Sequence, residues 1–113
     1  TSENRLEQKN PKLTQVVIVY IKLSDDGFGQ PEEREDLYQI EDKLEMLLKS
    51  SIVGKIDGHE FGGGYGVIYI YGENADKLFD VVIQTIRDFK PKQGSFIIKR
   101  YGNIEAKEER INL

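Results

Sequence analysis

Four segments of the chain have the residue types and the alternation of β-strands. Residues 13–23, LTQVVIVYIKL, are apolar on both alternating faces, which indicates a strand covered on two sides. Residues 65–71, YGVIYIY, and 95–101, SFIIKRY, share this character, and residues 51–57, SIVGKID, match it less closely. We therefore predict four strands at these positions.

Two further segments follow the three-and-four spacing of an amphipathic helix. The first runs from Glu32 to Lys49, with acids in its first turns and a lysine at its end, as the helix dipole favours. The second covers 75–89, where Asn74 is a suitable N-cap and Pro91 ends the helix. The apolar faces consist of Leu37, Ile40, Leu44, Leu47 and Leu48 in the first helix, and Ala75, Leu78, Phe79, Val82, Ile86 and Phe89 in the second.

The order of these elements is βαββαβ, which predicts the ferredoxin-like α+β fold, a four-stranded antiparallel sheet with two helices on one face. A single domain would span residues 12–102. Residues 1–11 read as a flexible N-terminal arm, and residues 103–113 as a charged C-terminal tail whose end allows a short extra strand. Because this fold hosts many unrelated functions, it does not name one.

Composition narrows the function classes. With 113 residues, 38% hydrophobic and 32% charged, the chain suits one globular domain. A net charge of −4 argues against nucleic acid as the partner. The absence of cysteine excludes disulfides and thiolate chemistry within this sequence. The longest apolar run, residues 16–21, is too short to cross a bilayer, so we expect no membrane contact and a cytoplasmic protein.

The stretch DGHEFGGGYG, residues 57–66, contains the only histidine and three consecutive glycines. Phosphate-binding glycine loops lie between a strand and a helix, whereas a strand follows here, so a nucleotide loop is not predicted. The glycines are better explained as turn positions with positive φ in a hairpin connection. Our first interpretation is therefore that the protein binds no cofactor and no metal.

An alternative use of this stretch depends on the predicted topology, which brings three loops to one edge of the sheet. His59 and Glu60 would then meet Asp25 and Asp26 of the first loop. Imidazole and carboxylate groups that converge suit metal binding or general acid-base chemistry. This loop-edge site is the basis for an alternative hypothesis, a small-ligand or metal-dependent enzyme. The three loops span 24–31, 58–64 and 90–94.

The sheet face without helices carries apolar and tyrosine side chains. Such a face, if open to water, marks an interaction site, and tyrosine suits it because its hydroxyl stays hydrated. RNA-recognition domains of the same plan also carry aromatic residues there, but their basic motifs are missing. We therefore predict a protein partner, either a second copy or another protein, unless residues 1–11 or 103–113 fold over this face. The predicted contact residues are Ile18, Tyr20, Val67, Tyr69 and Tyr71.

Three motifs carry a family resemblance: GGG at 62–64 before a tyrosine-rich strand, YGENADKLF at 71–79, and KRYG at 99–102. With these motifs the chain resembles small bacterial proteins of uncharacterised function, over about residues 15–102. The resemblance implies the same fold and a bacterial, cytoplasmic setting. It brings no activity and no catalytic residues.

The leading hypothesis from the sequence is a non-catalytic protein-interaction module. Its small size, acidity and lack of a catalytic signature also suit an immunity protein that masks a basic toxin.

Overall fold

The computed structural model describes residues 14–103 and 105–113, and within them the chain forms two helices and one antiparallel sheet. The strands lie side by side in the order β2-β3-β1-β4-β5. The predicted α+β class is confirmed, but the predicted count of four strands is wrong because a fifth strand joins the sheet. The elements are β1 (Gln15–Lys22), α1 (Pro31–Ser51), β2 (Gly54–Gly62), β3 (Tyr65–Gly72), α2 (Ala75–Asp88), β4 (Phe96–Arg100) and β5 (Glu108–Asn112).

Strand β1 lies at the centre of the sheet and is apolar on both faces, as its sequence predicted. Val17 and Val19 face the helices, while Val16 and Ile18 face the other side, and all four are buried. Both helices pack against one face of the sheet. Their core consists of Leu37, Ile40, Leu44 and Leu48 of α1 and Ala75, Leu78, Val82 and Ile86 of α2, against Val17, Val19, Ile68, Ile70 and Ile97.

Local signals set the ends of the helices. Pro31 begins α1, and the Glu33 carboxylate accepts a hydrogen bond from the backbone N–H of Gln30 at 3.0 Å. Asn74 caps α2 as predicted, because its side chain accepts from the backbone N–H of Lys77 at 3.0 Å. Ile52, in the left-handed conformation with φ of 56°, follows the last turn of α1.

The hairpin between β2 and β3 explains the glycine-rich stretch. Gly62 pairs with Tyr65, and the two residues between them, Gly63 and Gly64, have φ of +59° and +86°. Positive φ at both central positions is what a tight hairpin turn requires, so the interpretation as turn residues is confirmed for Gly63 and Gly64 but not for Gly62, which ends β2. Strand β2, however, extends to Gly62. The prediction of a loop over 58–64 is therefore wrong.

The C-terminal segment is part of the sheet. Strand β5 pairs antiparallel with β4, and the backbone N–H of Leu113 donates to Ser95 at 3.0 Å. Within the segment predicted as a tail, residues 108–112 thus form the short extra strand that the sequence allows, and Arg110 lies over the Phe96 ring on the helix-free face, 3.8 Å from its centre. The arm predicted for residues 1–11 lies outside the described residues. Neither described helix is long and apolar enough to cross a membrane.

Candidate functional site

Three parts of the chain meet at one edge of the sheet, as predicted, although the second is only the turn at Gly63 and Gly64. The backbone N–H of Leu23 donates to Gly64 at 2.9 Å, and the N–H of Gly64 donates to Gly27 at 3.0 Å. The N–H of Lys22 donates to the Ser95 hydroxyl at 2.8 Å. The end of β1, the hairpin turn and the start of β4 are thus joined by hydrogen bonds.

Asp25 organises the first of these loops. Its carboxylate accepts from the backbone N–H groups of Gly27 at 2.9 Å and Gly29 at 3.0 Å, and from the Gln30 amide at 3.2 Å. These hydrogen bonds, with Gly27 first, hold the pKa of Asp25 below its ordinary value. Asp26 beside it is exposed. The role of Asp25 is therefore to fold the loop.

A β-bulge determines where the histidine lies. Opposite Ile70 and Tyr69 of β3 stand Ile56 and Gly58, so Asp57 is the extra residue. The bulge breaks the two-residue alternation, and Ile56 and His59, three positions apart, both turn toward the helices. His59 Nδ1 lies 2.9 Å from a carboxylate oxygen of Glu41 on α1.

Glu60 points to the opposite face of the sheet. It pairs with Val67, and its carboxylate accepts a hydrogen bond from the Tyr69 hydroxyl at 3.3 Å. The four side chains proposed for the loop-edge site thus separate: Asp25 is bound within its own loop, Asp26 is exposed there, His59 faces α1, and Glu60 lies on the helix-free face. Within residues 14–103 and 105–113, no three histidine or acidic side chains come together as a metal site would require.

The structure instead brings His59 into an aromatic cluster beside α1. Its ring centre lies 5.1 Å from that of Tyr38 and 5.6 Å from that of Phe61, and the Tyr38 and Phe61 rings are 5.8 Å apart. We call the surface between α1 and β2, formed by these three residues with Glu41 and Glu45, the α1–β2 groove. Toward the other end of β2 it reaches a cavity of about 190 Å³, lined by Glu45, Leu48, Lys49, Gly54, Lys55 and Ile56.

Sequence reasoning missed Tyr38, Glu41 and Phe61. The spacing of Tyr38 and Glu41 along α1 places them on one flank of that helix, and this was readable from the sequence. The bulge at Asp57 was not, because it is defined only by the pairing with β3. Without the bulge, the β2 residues that face α1 cannot be identified, and the contacts of Tyr38 and Glu41 cannot be predicted.

The predicted contact residues on the helix-free face divide by exposure. Ile18, Val67 and Tyr71 are 4%, 8% and 0% exposed, and Tyr20 and Tyr69 are half-buried. Tyr20 stacks on Phe96 with ring centres 4.5 Å apart. Only the two half-buried tyrosines of the predicted set therefore offer surface to another molecule.

A polar network ties the start of α2 to β4. Asp76 accepts hydrogen bonds from the Tyr101 hydroxyl at 2.7 Å and from Lys99 Nζ at 2.9 Å, and these lower its pKa, Tyr101 most. Burial by itself would lower the pKa of Lys99, but the hydrogen bonds to Asp76 and Tyr101 outweigh it and raise the pKa. The network thus joins the first turn of α2 to the end of β4 through charge-assisted hydrogen bonds.

A second cavity lies at the loop edge, between the start of α1 and the end of α2. It measures about 160 Å³, has an apolar floor that includes Leu37 and Phe89, and carries charges of both signs at its rim, Glu33 and Asp36 opposite Lys90 and Lys92. Sites for small organic ligands usually measure about 300–1,000 Å³. Both cavities are below that range.

Comparison with known proteins gives a family. A search of curated proteins and of solved structures finds no match to this chain. A family model matches residues 3–100, most of the chain. The protein belongs to the family of unknown function DUF695.

Proposed function

We propose that this protein is a non-catalytic protein-interaction module that binds a basic partner through helix α1. The observation that supports this most is the distribution of charge. Helix α1 carries seven acidic and three basic residues, a net charge of −4 that equals the net charge of the whole chain. The rest of the chain holds thirteen residues of each sign. An acidic surface of this kind raises the encounter rate with a basic partner.

The acidic surface also exposes apolar side chains. Tyr38 is 39% exposed and Met46 is 74% exposed, and both lie among the α1 carboxylates. Exposed tyrosine and methionine are common at binding surfaces because they bury much area on contact. Charge would attract the partner, and these two side chains would supply apolar contact.

An immunity-type role, in which the protein masks a basic toxin, is the specific form of this proposal. It rests on the same acidity and small size. A bacterial, cytoplasmic setting belongs to the proposal as well.

The helix-free face enters the proposal as a second surface, for contact with a second copy. There the contact would involve Tyr20 and Tyr69, since the other predicted residues are buried. The alternative of a metal-dependent or small-ligand enzyme has less support. His59 is paired with Glu41, Asp25 holds its loop, and the two cavities described above, at the loop edge and beside β2, are small.

The experiment compares two double variants with the same change in charge. Glu35→Lys with Asp42→Lys alters the exposed side of α1, and Asp80→Lys with Glu105→Lys alters exposed positions elsewhere. Tagged wild-type protein and both variants are used to capture proteins from an extract of the bacterium that makes this protein. The affinity of each for the captured protein is then measured by calorimetry. We expect a basic protein whose binding is lost in the α1 variant and kept in the control. Equal capture by both variants, or no capture by wild type, would overturn the proposal.

A further inference from the structure

Strand β2 forms one edge of the described sheet and pairs only with β3 there. The hairpin closes on the pair Gly62 and Tyr65, which exchanges hydrogen bonds in a two-residue turn. By the alternation of antiparallel pairing, His59 and Phe61 occupy non-hydrogen-bonded positions. Their backbone N–H and C=O groups therefore point outward from the sheet edge, where an added strand would bind them.

The α1–β2 groove runs alongside this edge. The side chains of His59 and Phe61 face α1. There the Tyr38 ring contacts both of their rings, and the Glu41 carboxylate pairs with His59. An edge strand next to a helix is a recurring arrangement for peptides that add a strand: backbone hydrogen bonds supply affinity, and alternate side chains enter the groove. This edge thus offers both parts of such a site.

The bulge limits what can occupy the edge. Asp57 divides β2 into two short pieces, and bulges at sheet edges disfavour long edge-to-edge pairing. The β2 strand of a second copy would carry the same bulge. A short guest segment that pairs only with His59 to Gly62 avoids it.

The charge of the groove determines which residues the bound segment can contain. Side chains that enter the groove would lie near Glu41 and Glu45, and the Tyr38 and Phe61 rings can contact cations through their faces. Acidic guests would be repelled by the net charge of α1. We infer that the α1–β2 groove binds an extended segment of a protein partner with alternating basic residues, which adds to β2 as a further strand. This inference rests on the proposed function and specifies the mode of binding.

The test uses two capped octapeptides of equal charge that alternate lysine with valine, one of them methylated on every backbone nitrogen. Only the unmethylated lysine–valine peptide can add as a strand, because the N-methylated peptide has no backbone donor on either edge. Binding to ¹⁵N-labelled protein is followed by NMR. We expect the unmethylated peptide to bind at least about fivefold more tightly than the N-methylated peptide. Its binding should shift the amide signals of His59 and Phe61.

Variants separate the backbone contribution from the charge contribution. His59→Pro should abolish the preference for the unmethylated peptide, and His59→Thr, which keeps the backbone donor, should retain it. Glu45→Lys should weaken binding about fivefold, and Asp80→Lys on α2 should leave it unchanged. Thermal unfolding of each variant checks that it is folded.

Four outcomes would overturn the inference. Equal binding of both peptides, with shifts confined to α1, would exclude strand addition and leave the basic-partner proposal standing. Binding of neither peptide, or shifts on β5 instead of β2, would exclude the groove. A dimer in light scattering with β2 amides already protected in the free protein would identify a second copy as the occupant.

Discussion

Glu41 on helix α1 and His59 on strand β2 lie 2.9 Å apart, carboxylate oxygen to Nδ1. They are eighteen residues apart in sequence, and the contact joins the most acidic helix to the edge of the sheet. Both side chains are partly shielded, with 17% of Glu41 and 32% of His59 exposed. This contact holds α1 and β2 together within the α1–β2 groove.

A double-mutant cycle should measure this contact. Replacing Glu41 by Gln and His59 by Gln, singly and together, should give a coupling free energy of about 0.5–1 kcal/mol, because the pair is only partly buried. Urea unfolding at neutral pH provides the values. A coupling of zero would mean that the two side chains do not interact in solution.

Ile52 should be a site where glycine increases stability. Its φ of 56° is unfavourable for a β-branched residue, and its side chain is 88% exposed, so it contributes little packing. We expect Ile52→Gly to stabilise the protein by about 0.5–1 kcal/mol. Ser50→Gly, inside α1, is the control and should destabilise by a similar amount. Thermal unfolding distinguishes the two, and a loss of stability in Ile52→Gly would contradict the conformation at Ile52.

The long, regular elements were predictable from the sequence, and the irregular ones were not. Strand β1 and the apolar faces of both helices followed from periodicity because each buries a continuous row of side chains. The strand predicted at 51–57 stops short of the observed end of β2 at Gly62, because the bulge at Asp57 puts Ile56 and His59 on one face at an odd spacing.

The edge strand β5 and the contacts of α1 were less predictable, because they depend on strand pairing and tertiary structure. The five residues of β5 are highly charged and alternate weakly, so the sequence allows a short strand there, but only the pairing with β4 shows that this strand joins the sheet. The acidity of α1 is evident from the sequence, but the helix dipole accounts only for the acids of its first turn and not for Glu41, Asp42 and Glu45. The pairing of Glu41 with His59 depends on tertiary structure.

The two tyrosines at 69 and 71 should behave differently. Tyr71 is fully buried, and we expect Tyr71→Ala to lower the free energy of unfolding by about 3–5 kcal/mol. Tyr69 is half-buried, and Tyr69→Ala should cost about 1 kcal/mol. Equal, small effects in denaturant unfolding would show that Tyr71 is accessible, which would restore it as a contact residue.

Asp76 should make stability depend on acid pH. Its pKa is lowered in the folded protein, so its contribution is fully present above the unfolded value of about 3.8 and is lost as pH falls through the lower folded pKa. Wild type should therefore be more stable than Asp76→Asn at pH 7, and the difference should shrink below about pH 4. Urea midpoints at pH 7, 5 and 3 check this, with Asp80→Asn as a control on the same helix. A difference that grows toward acid pH would contradict the network with Lys99 and Tyr101.

The most direct test of the central claim is amide hydrogen exchange of the protein, free and in complex with the basic partner captured from host extract. Exchange reports which backbone amides become protected on binding. We predict that added protection is concentrated on α1 and on β2 between His59 and Gly62. Protection confined to the helix-free face or to β5, with α1 unchanged, would contradict the account.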